Sequence, residues 1–306
     1  MKFEYAIVVK NKTRLESLIE RFNTKAQAKF YIERLGGNFE DYEAEHETFQ
    51  DSLHSVQTQL SRLIKNKTIE RVYLPSFLFS EKHMIIVIGQ DGLVANTAKY
   101  SNNCPIIAVN PDKKRYDGVL LPFDTFNFFH GVEHVMANRY RTKTARFAEA
   151  KLNDGQRLLA FNDLFIGVSS HISARYKISY MDQEEEQSSS GLIVSTQTGS
   201  TGWLSSVFNM AYGITSLFEG DQSPKRPVLE EDELLFAVRE PFQSVRTQIG
   251  ITAGFIEHQQ YLTIESLMPA NGVIFSDGIE TDFLKFNSGA IATIGMAEKT
   301  AKLVMK

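Results

Sequence analysis

The chain has 306 residues, 42% of them hydrophobic, so it can bury a sizeable core, and its length favours two domains. Its formal net charge of -4 gives little attraction to nucleic acid or to an anionic membrane, and no apolar run approaches the roughly 20 residues of a membrane-spanning helix. The single cysteine, Cys104, cannot form an internal disulfide, and the N-terminal apolar stretch is too short and too acidic for a signal peptide. We therefore expect a cytoplasmic protein that binds neither nucleic acid nor membranes.

The first 125 residues have the pattern of an open α/β sheet, in which short, continuously apolar strands alternate with helical segments. The predicted elements are a strand at 5–9, amphipathic helices at 13–35 and 42–64, and buried strands at 72–74, 85–88 and 106–109. His46 and His54 lie on the second helix without further metal-ligand types on that face, so we interpret both as solvated.

A glycine-flanked turn follows the strand at 85–88 and consists of Gly89, Gln90, Asp91 and Gly92. Glycine allows close approach of a ligand to the backbone, and the free N–H groups of a helix start attract phosphate. Asp91 would repel phosphate, so we expect it to bind a cation, to cap the helix or to accept a proton. A second polar turn, at 110–112, follows the next strand, and two such turns at the carboxyl edge of one sheet predict a site there.

From residue 126 onward a helix at 126–140 is followed by alternating strands, which is typical of an antiparallel β-rich domain. One predicted hairpin joins strands at 145–151 and 157–161, and a second joins 174–180 to 191–196 through an acidic turn at 182–187, whose glutamates we interpret as solvated. We also predict a helix at 202–212, a mobile loop at 219–232, and strands at 234–239, 246–251, 261–265, 273–275 and 290–294. The predicted fold is a Rossmann-like α/β domain (1–125), a mostly antiparallel, β-sandwich-like domain (126–285) and a C-terminal segment (286–306) expected to return to the first domain.

Two segments of the second half carry polar residues suited to a ligand. Residues 196–203 follow an apolar strand and open a helix, so their hydroxyls and free N–H groups favour a nucleotide; alternatively they form a Ser/Thr-rich turn with Thr201 as the helix cap. Asn162 and Asp163 stand between two apolar runs. Because neighbours in a strand point to opposite faces, both side chains reach one ligand only if the chain bends there; otherwise they form a plain loop.

Together these segments resemble signatures of the ATP-dependent NAD kinase family. The turn at 89–92, the pair Asn162-Asp163 and the segment 198–203 occur in the order, and at about the spacing, of the family's GGDG turn, Asn-Glu/Asp pair and Thr-Gly-Ser-Thr-Ala-Tyr-like turn. The resemblance covers most of the chain and is closest to the mitochondrial-type branch, because of further similar segments at 109–112, 189–192, 238–241 and 286–292.

The resemblance implies that the γ-phosphate of ATP, with Mg²⁺ as cofactor, is transferred to the 2′-hydroxyl of the adenosine ribose of NAD by a homodimer or larger homo-oligomer. Asp91 would be the general base. Gly89, Gln90 and Gly92 would form the turn that receives the phosphates of ATP. The residues implied in NAD binding are Asn162, Asp163, Thr198, Thr201, Gly202 and Trp203.

Three residues depart from the family pattern. Ser190 stands where many bacterial members have an aspartate before Gly-Leu, whereas the mitochondrial-type branch often has serine there. Gln90 replaces the second glycine of GGDG, which adds a side chain and removes backbone freedom. Trp203 stands where tyrosine is common, which keeps a stacking surface but loses the phenol hydroxyl. Two alternatives stay open: a lipid or sugar kinase of the same superfamily, and a non-catalytic NAD(P)-binding regulator. A dehydrogenase is disfavoured because no G-x-G-x-x-G follows the first strand.

Overall fold

The computed structural model describes residues 3–219 and 227–306, so much of the predicted loop at 219–232 lies outside the described residues. The chain divides into two compact units, Met1–Thr144 together with Ala301–Lys306, and Ala145–Thr300. None of the described helices is long and apolar enough to cross a membrane.

The first unit is a parallel sheet with helices. Its helices are α1 (Arg14–Phe22), α2 (Lys25–Arg34), α3 (Glu40–Leu60), a 3-10 helix (Arg71–Ser76), α4 (Asp91–Tyr100) and α5 (Phe128–Met136). Its strands are β1 (Tyr5–Lys10), β2 (Lys65–Glu70), β3 (His83–Ile88), β4 (Pro105–Asn110) and β5 (Phe123–Asp124). The strands pair in parallel in the order β2-β1-β3-β4, and β5 pairs with β4.

The centre of this sheet is apolar because β3 and β4 are buried along almost their whole length. Helix α3 places Phe49, Leu53 and Val56 in the same core as Val8 of β1 and Ile86 of β3. Burial on both faces is typical of parallel sheets and explains why the two strands have no polar alternation. The predicted α/β architecture of this part of the chain is therefore confirmed.

Several predictions for the first unit are wrong in detail. The single helix predicted at 13–35 is two helices, because Asn23 adopts a left-handed φ of 64° and Thr24 caps α2 by accepting a hydrogen bond from the Gln27 N–H. The strand predicted at 72–74 is part of the 3-10 helix. His54 is exposed as predicted, whereas His46 is half-buried and hydrogen-bonds to the Thr13 hydroxyl.

The second half of the chain is built mainly of antiparallel strands and contains one long helix, α6 (Trp203–Glu219). Its strands are β6 (Thr142–Leu152), β7 (Arg157–Ala160), β8 (Asp163–Val168), β9 (Ala174–Tyr180), β10 (Gln183–Ser189), β11 (Leu192–Ser195), β12 (Leu234–Val238), β13 (Ala253–Ile256), β14 (Leu262–Ser266), β15 (Gly272–Ser276), β16 (Ile279–Lys285) and β17 (Ile291–Val304).

Two sheets enclose the core of the second unit. One has the order β13-β12-β11-β8-β15-β16 and is antiparallel throughout. The other contains β10-β9-β14, the first part of β17, and the hairpin β6-β7. Ile166 and Phe236 of the first sheet share a buried cluster with Tyr176 and Ile178 of the second, as in a β-sandwich.

The hairpin β6-β7 with its Asp-Gly turn is confirmed, but the second predicted hairpin is wrong. The acidic stretch is itself a strand, β10, which pairs with β9, while β11 lies in the other sheet. The Glu185 carboxylate accepts hydrogen bonds from the backbone N–H groups of Gly250 (3.1 Å) and Ile251 (2.7 Å). The three glutamates are therefore not a solvated turn, and the stretch at 246–251, predicted as a strand, is a loop.

Candidate functional site

The glycine-flanked turn lies at the carboxyl edge of the parallel sheet, as predicted. Ile88 at the end of β3 is the register partner of Val109 in β4, so the turns that follow both strands are neighbours. The N–H of Gly89 donates to the Val109 carbonyl (3.3 Å). Asp91 is the first residue of α4, and Gln90 is the residue before the helix, so Asp91 is not the helix cap. A carboxylate in the first turn of a helix is stabilised by the helix dipole.

A loop anchored on β4 fixes the Asp91 carboxylate. The Oδ1 atom of Asp91 accepts a hydrogen bond of 2.6 Å from the backbone N–H of Leu120, which lies in this loop. The loop is held in turn by Asn110, whose Nδ2 donates to the Tyr116 carbonyl (3.0 Å). Gly118 has a φ of 68°, which favours glycine, and a Cβ there would lie 2.6 Å from Asn110 Nδ2 and disturb this hydrogen bond. An ionised carboxylate has about four acceptor sites, so the bond to Leu120 orients Asp91 while leaving capacity to accept a proton.

Gln90 occupies its position without strain. Its φ of -96° and ψ of 166° are extended backbone that any residue adopts, and its side chain is exposed. The glycine that stands here in the GGDG pattern is therefore not required by the backbone, and the expected loss of conformational freedom has no consequence in this turn.

In the second unit, Asn162 and Asp163 lie in a bend between two strands. Strand β7 ends at Ala160 and β8 begins at Asp163, with Asn162 half-buried and Asp163 8% exposed. The bend provides the departure from regular strand geometry that two neighbouring side chains need to approach one ligand. Burial raises the pKa of Asp163 to about 7, and the negative charge of Asp277 adds to this increase.

The Ser/Thr-rich segment packs directly on this bend. The hydroxyls of Thr196 and Thr198 both donate to the Phe161 carbonyl, at 2.6 and 2.7 Å. The Thr196 N–H donates to the Asn162 carbonyl (2.9 Å). A Cβ on Gly199 would lie 2.1 Å from the same oxygen, so only glycine fits. The structure therefore brings the two predicted motifs of this unit together. The hydroxyl proton of Thr198 is donated to a carbonyl of the protein itself.

The remaining predicted residues of this segment are more open to solvent. Thr201 and Gly202 are exposed, and their carbonyls accept hydrogen bonds from the Ser205 hydroxyl in the first turn of α6. Trp203 is half-buried and stacks on Phe165, with ring centroids 5.5 Å apart and planes at 10°. The Arg239 guanidinium lies 5.3 Å from the indole centroid.

A cavity of about 610 Å³ adjoins this aromatic stack. Trp203, Phe165 and Phe275 line it, and Arg239 and Lys285 supply positive charge. Flat aromatic surfaces with cations beside them suit a planar ring that carries a negatively charged group.

No family model matches the chain, and no curated protein matches it in sequence. Solved structures do match it, and two of them are aligned with nearly its whole length. One is yeast NADH kinase complexed with NADH, with 16% identity and a TM-score of 0.61 over 100% of this chain and 84% of that chain. Another is an NAD kinase from Archaeoglobus fulgidus in complex with ATP, with 17% identity and a TM-score of 0.58 over 98% of this chain and 92% of that chain. The chain has an NAD kinase-like fold.

Within this NAD kinase-like fold, Asp91 and the turn at 89–92 belong to the first unit, and the predicted NAD-binding residues belong to the second. Sequence reasoning missed two contributors: the backbone N–H of Leu120, which orients Asp91, and the Asp277 side chain, which contacts the bend at Asn162. No side-chain pattern could indicate the first. The second belongs to a turn that has a sequence signal, since Asp277-Gly278 shortly after the apolar run at 273–275 is typical of a tight hairpin turn.

Proposed function

We propose that the protein is an NAD kinase that transfers the γ-phosphate of ATP to the 2′-hydroxyl of the adenosine ribose of NAD. The observation that carries the proposal is the bend at Asn162 and Asp163, which packs against the Ser/Thr-rich segment 196–203 in a chain with an NAD kinase-like fold. The assignment to the mitochondrial-type branch is part of the same proposal and is supported by the sequence segments at 109–112, 189–192, 238–241 and 286–292.

In this proposal Asp91 is the general base. Its carboxylate accepts the proton of the 2′-hydroxyl while a bond forms between the ribose oxygen and the γ-phosphorus. The bond between that phosphorus and the β,γ-bridging oxygen breaks, and ADP leaves. Phosphoryl transfer depends mainly on positioning and charge neutralisation, so a base with a fixed orientation is a large part of what the protein supplies. The hydrogen bond from Leu120 provides that orientation.

The Asn162 and Asp163 side chains bind the ribose hydroxyls of the acceptor. An amide offers both donors and an acceptor, and a carboxyl group with a pKa of about 7 can donate or accept near neutral pH. Thr201, Gly202 and the Trp203 indole line the adenosine pocket, with the indole supplying a stacking surface. Thr198 acts indirectly, because its hydroxyl fixes the segment to Phe161.

Magnesium enters as MgATP, as part of the donor substrate. Mg²⁺ retains several waters and usually binds through one or two carboxylates together with substrate phosphates. Across residues 3–219 and 227–306, no group of three or more His, Cys, Asp or Glu side chains is arranged to hold a metal. In this proposal the ion arrives with the nucleotide, whose phosphates are received at the turn of Gly89, Gln90 and Gly92.

The test is an acceptor screen with MgATP that includes NAD, NADH, sugars and diacylglycerol, with Asp91→Asn measured beside the wild type. We expect NADP formation and a fall in kcat of about 10²–10⁴ in the variant, because a general base contributes that much. Asp51→Asn, on the exposed side of α3, makes the same change in charge and is expected to retain wild-type kcat.

Undiminished turnover of Asp91→Asn would remove Asp91 as the base. Phosphorylation of a sugar or lipid with NAD inert would identify the related-superfamily kinase instead, and binding of NAD without turnover would identify the regulator. Size-exclusion chromatography with light scattering tests the predicted homo-oligomer.

A further inference from the structure

A third turn contacts the bend at Asn162 and Asp163, and it comes from the hairpin β15-β16. Asp277 and Gly278 are its two central residues, with left-handed φ values of 54° and 68°, and Ser276 pairs with Ile279 across it. These values are those of a type I′ turn, for which Asp-Gly is a preferred sequence. The Asp277 N–H donates to the Asp163 carbonyl (3.0 Å), which joins the two turns through their backbones.

The Asp277 carboxylate accepts hydrogen bonds from three consecutive backbone N–H groups. Its Oδ2 accepts from Phe161 (3.1 Å), and its Oδ1 accepts from Asn162 (2.6 Å) and, at longer distance, from Asp163 (3.4 Å). Consecutive N–H groups point in opposite directions along a regular strand, so they converge on one carboxylate only where the chain is sharply bent. Hydrogen bonds to a charged acceptor are among the stronger ones in proteins, and here they stabilise the bent conformation.

We propose that Asp277 is a positioning residue for the acceptor substrate, which holds the bend so that the Asn162 and Asp163 side chains approach the same ribose. This inference rests on the proposed function and deepens it. Asp277 acts through the backbone of its neighbours, and we assign it no contact with substrate.

The arrangement also couples Asp277 to the charge state of Asp163. Asp277 is the charged residue that contributes to the raised pKa of Asp163 in the described part of the chain. The strand β11 and the segment after it face the bend with the neutral hydroxyls of Ser195, Thr196 and Thr198. Removing the negative charge of Asp277 therefore lowers the pKa of Asp163. Because burial is the larger cause of the raised pKa, exposure of Asp163 would lower it too, and KM for NAD is the readout that decides.

The experiment compares wild type with Asp277→Asn and Asp277→Gly, since both residues tolerate a left-handed backbone while removing the carboxylate. Asp154→Asn is the matched control, because Asp154 also precedes a glycine in a hairpin turn and is exposed, with its carboxylate bound to Gln156. The readouts are KM and kcat for NAD and for ATP, the melting temperature, and the titration of the Asp163 carboxyl carbon by ¹³C NMR, assigned with Asp163→Asn.

We expect both Asp277 variants to raise KM for NAD by roughly 10- to 100-fold, because a misplacement of about 1 Å has effects of that size. KM for ATP stays within twofold, the titration midpoint of Asp163 moves to lower pH, and Asp154→Asn behaves as wild type. Folded variants with wild-type KM for NAD would overturn the inference, even if the titration midpoint moves. Failure of both variants to fold would assign Asp277 to stability and overturn it equally. A wild-type protein with no turnover of NAD or NADH refutes the proposed function itself, and the inference with it.

Discussion

Gly199→Ala is expected to impair acceptor binding strongly, because the added methyl group has no space. Its Cβ would lie 2.1 Å from the Asn162 carbonyl oxygen, 2.5 Å from the carbonyl carbon and 2.7 Å from the Ser195 hydroxyl. The two nearest atoms are backbone and cannot move aside as a flexible side chain could. The Ser/Thr-rich segment or the bend at Asn162 must therefore shift by about 1 Å. A shift of that size costs on the order of 10²-fold in kcat/KM when the shifted residues position a substrate.

The same overpacking is expected to destabilise the second unit by about 1–3 kcal/mol. For a unit of this size each kcal/mol lowers Tm by about 2–4 °C, so the change is measurable by scanning calorimetry. The matched control is Gly213→Ala in α6, where a Cβ meets nothing within 4 Å. Alanine in the interior of a helix is favoured over glycine by up to about 1 kcal/mol, so the control is expected to raise Tm slightly. A Gly199→Ala enzyme with wild-type kcat/KM and Tm would refute the reasoning.

Three further predictions address other features. The pKa of Asp163 is raised in the folded state, so binding of a proton to its carboxyl group stabilises the fold. This contribution to the free energy of unfolding is complete below the unfolded pKa of about 4 and is lost as pH rises to about 7. Asp163→Asn should therefore raise Tm relative to wild type more at pH 8 than at pH 5, and an equal difference at both values would contradict the assigned pKa. Gln90→Gly should leave KM for ATP and kcat within threefold, since Gln90 is unstrained; a large gain would show that its side chain obstructs the donor phosphates. Glu185→Ala should cost about 1–3 kcal/mol in urea unfolding because two N–H groups lose their acceptor, whereas exposed Glu184→Ala should have little effect, and equal effects would argue against the role of Glu185.

The features predictable from sequence are those that depend on local pattern. The apolar runs at 85–88 and 106–109 predict β3 and β4, and the glycines after the first run predict the turn that carries Asp91. Strand β2 was missed because it lies at the edge of the sheet, where five of its six residues are not fully buried. Its charged, polar sequence gives no strand signal, whereas the neighbouring apolar residues at 72–74 predict a strand where the structure has a 3-10 helix.

The features that could not be predicted depend on partners far apart in sequence. The acidic run at 184–186 has the composition of a solvated turn, and only the loop at 250–251 gives the Glu185 carboxylate its hydrogen-bond donors. Likewise, the sequence places Asn162 and Asp163 between two strands but does not show that a turn 115 residues further along the chain supplies Asp277. The motif residues of the candidate site were thus predictable, while the groups that orient them were not.

The backbone of Phe161 and Asn162 is held by hydrogen bonds within the protein, so in this candidate site the backbone is structural and the side chains are the groups available to a ligand. Both N–H groups donate to Asp277, and both carbonyls accept from Thr196. Since the protein itself occupies these four backbone atoms, an acceptor bound as proposed is recognised here through side chains. The side chains at 162 and 163 are therefore exchangeable in principle on a constant backbone, and a redesign of acceptor choice in this protein would begin with those two positions.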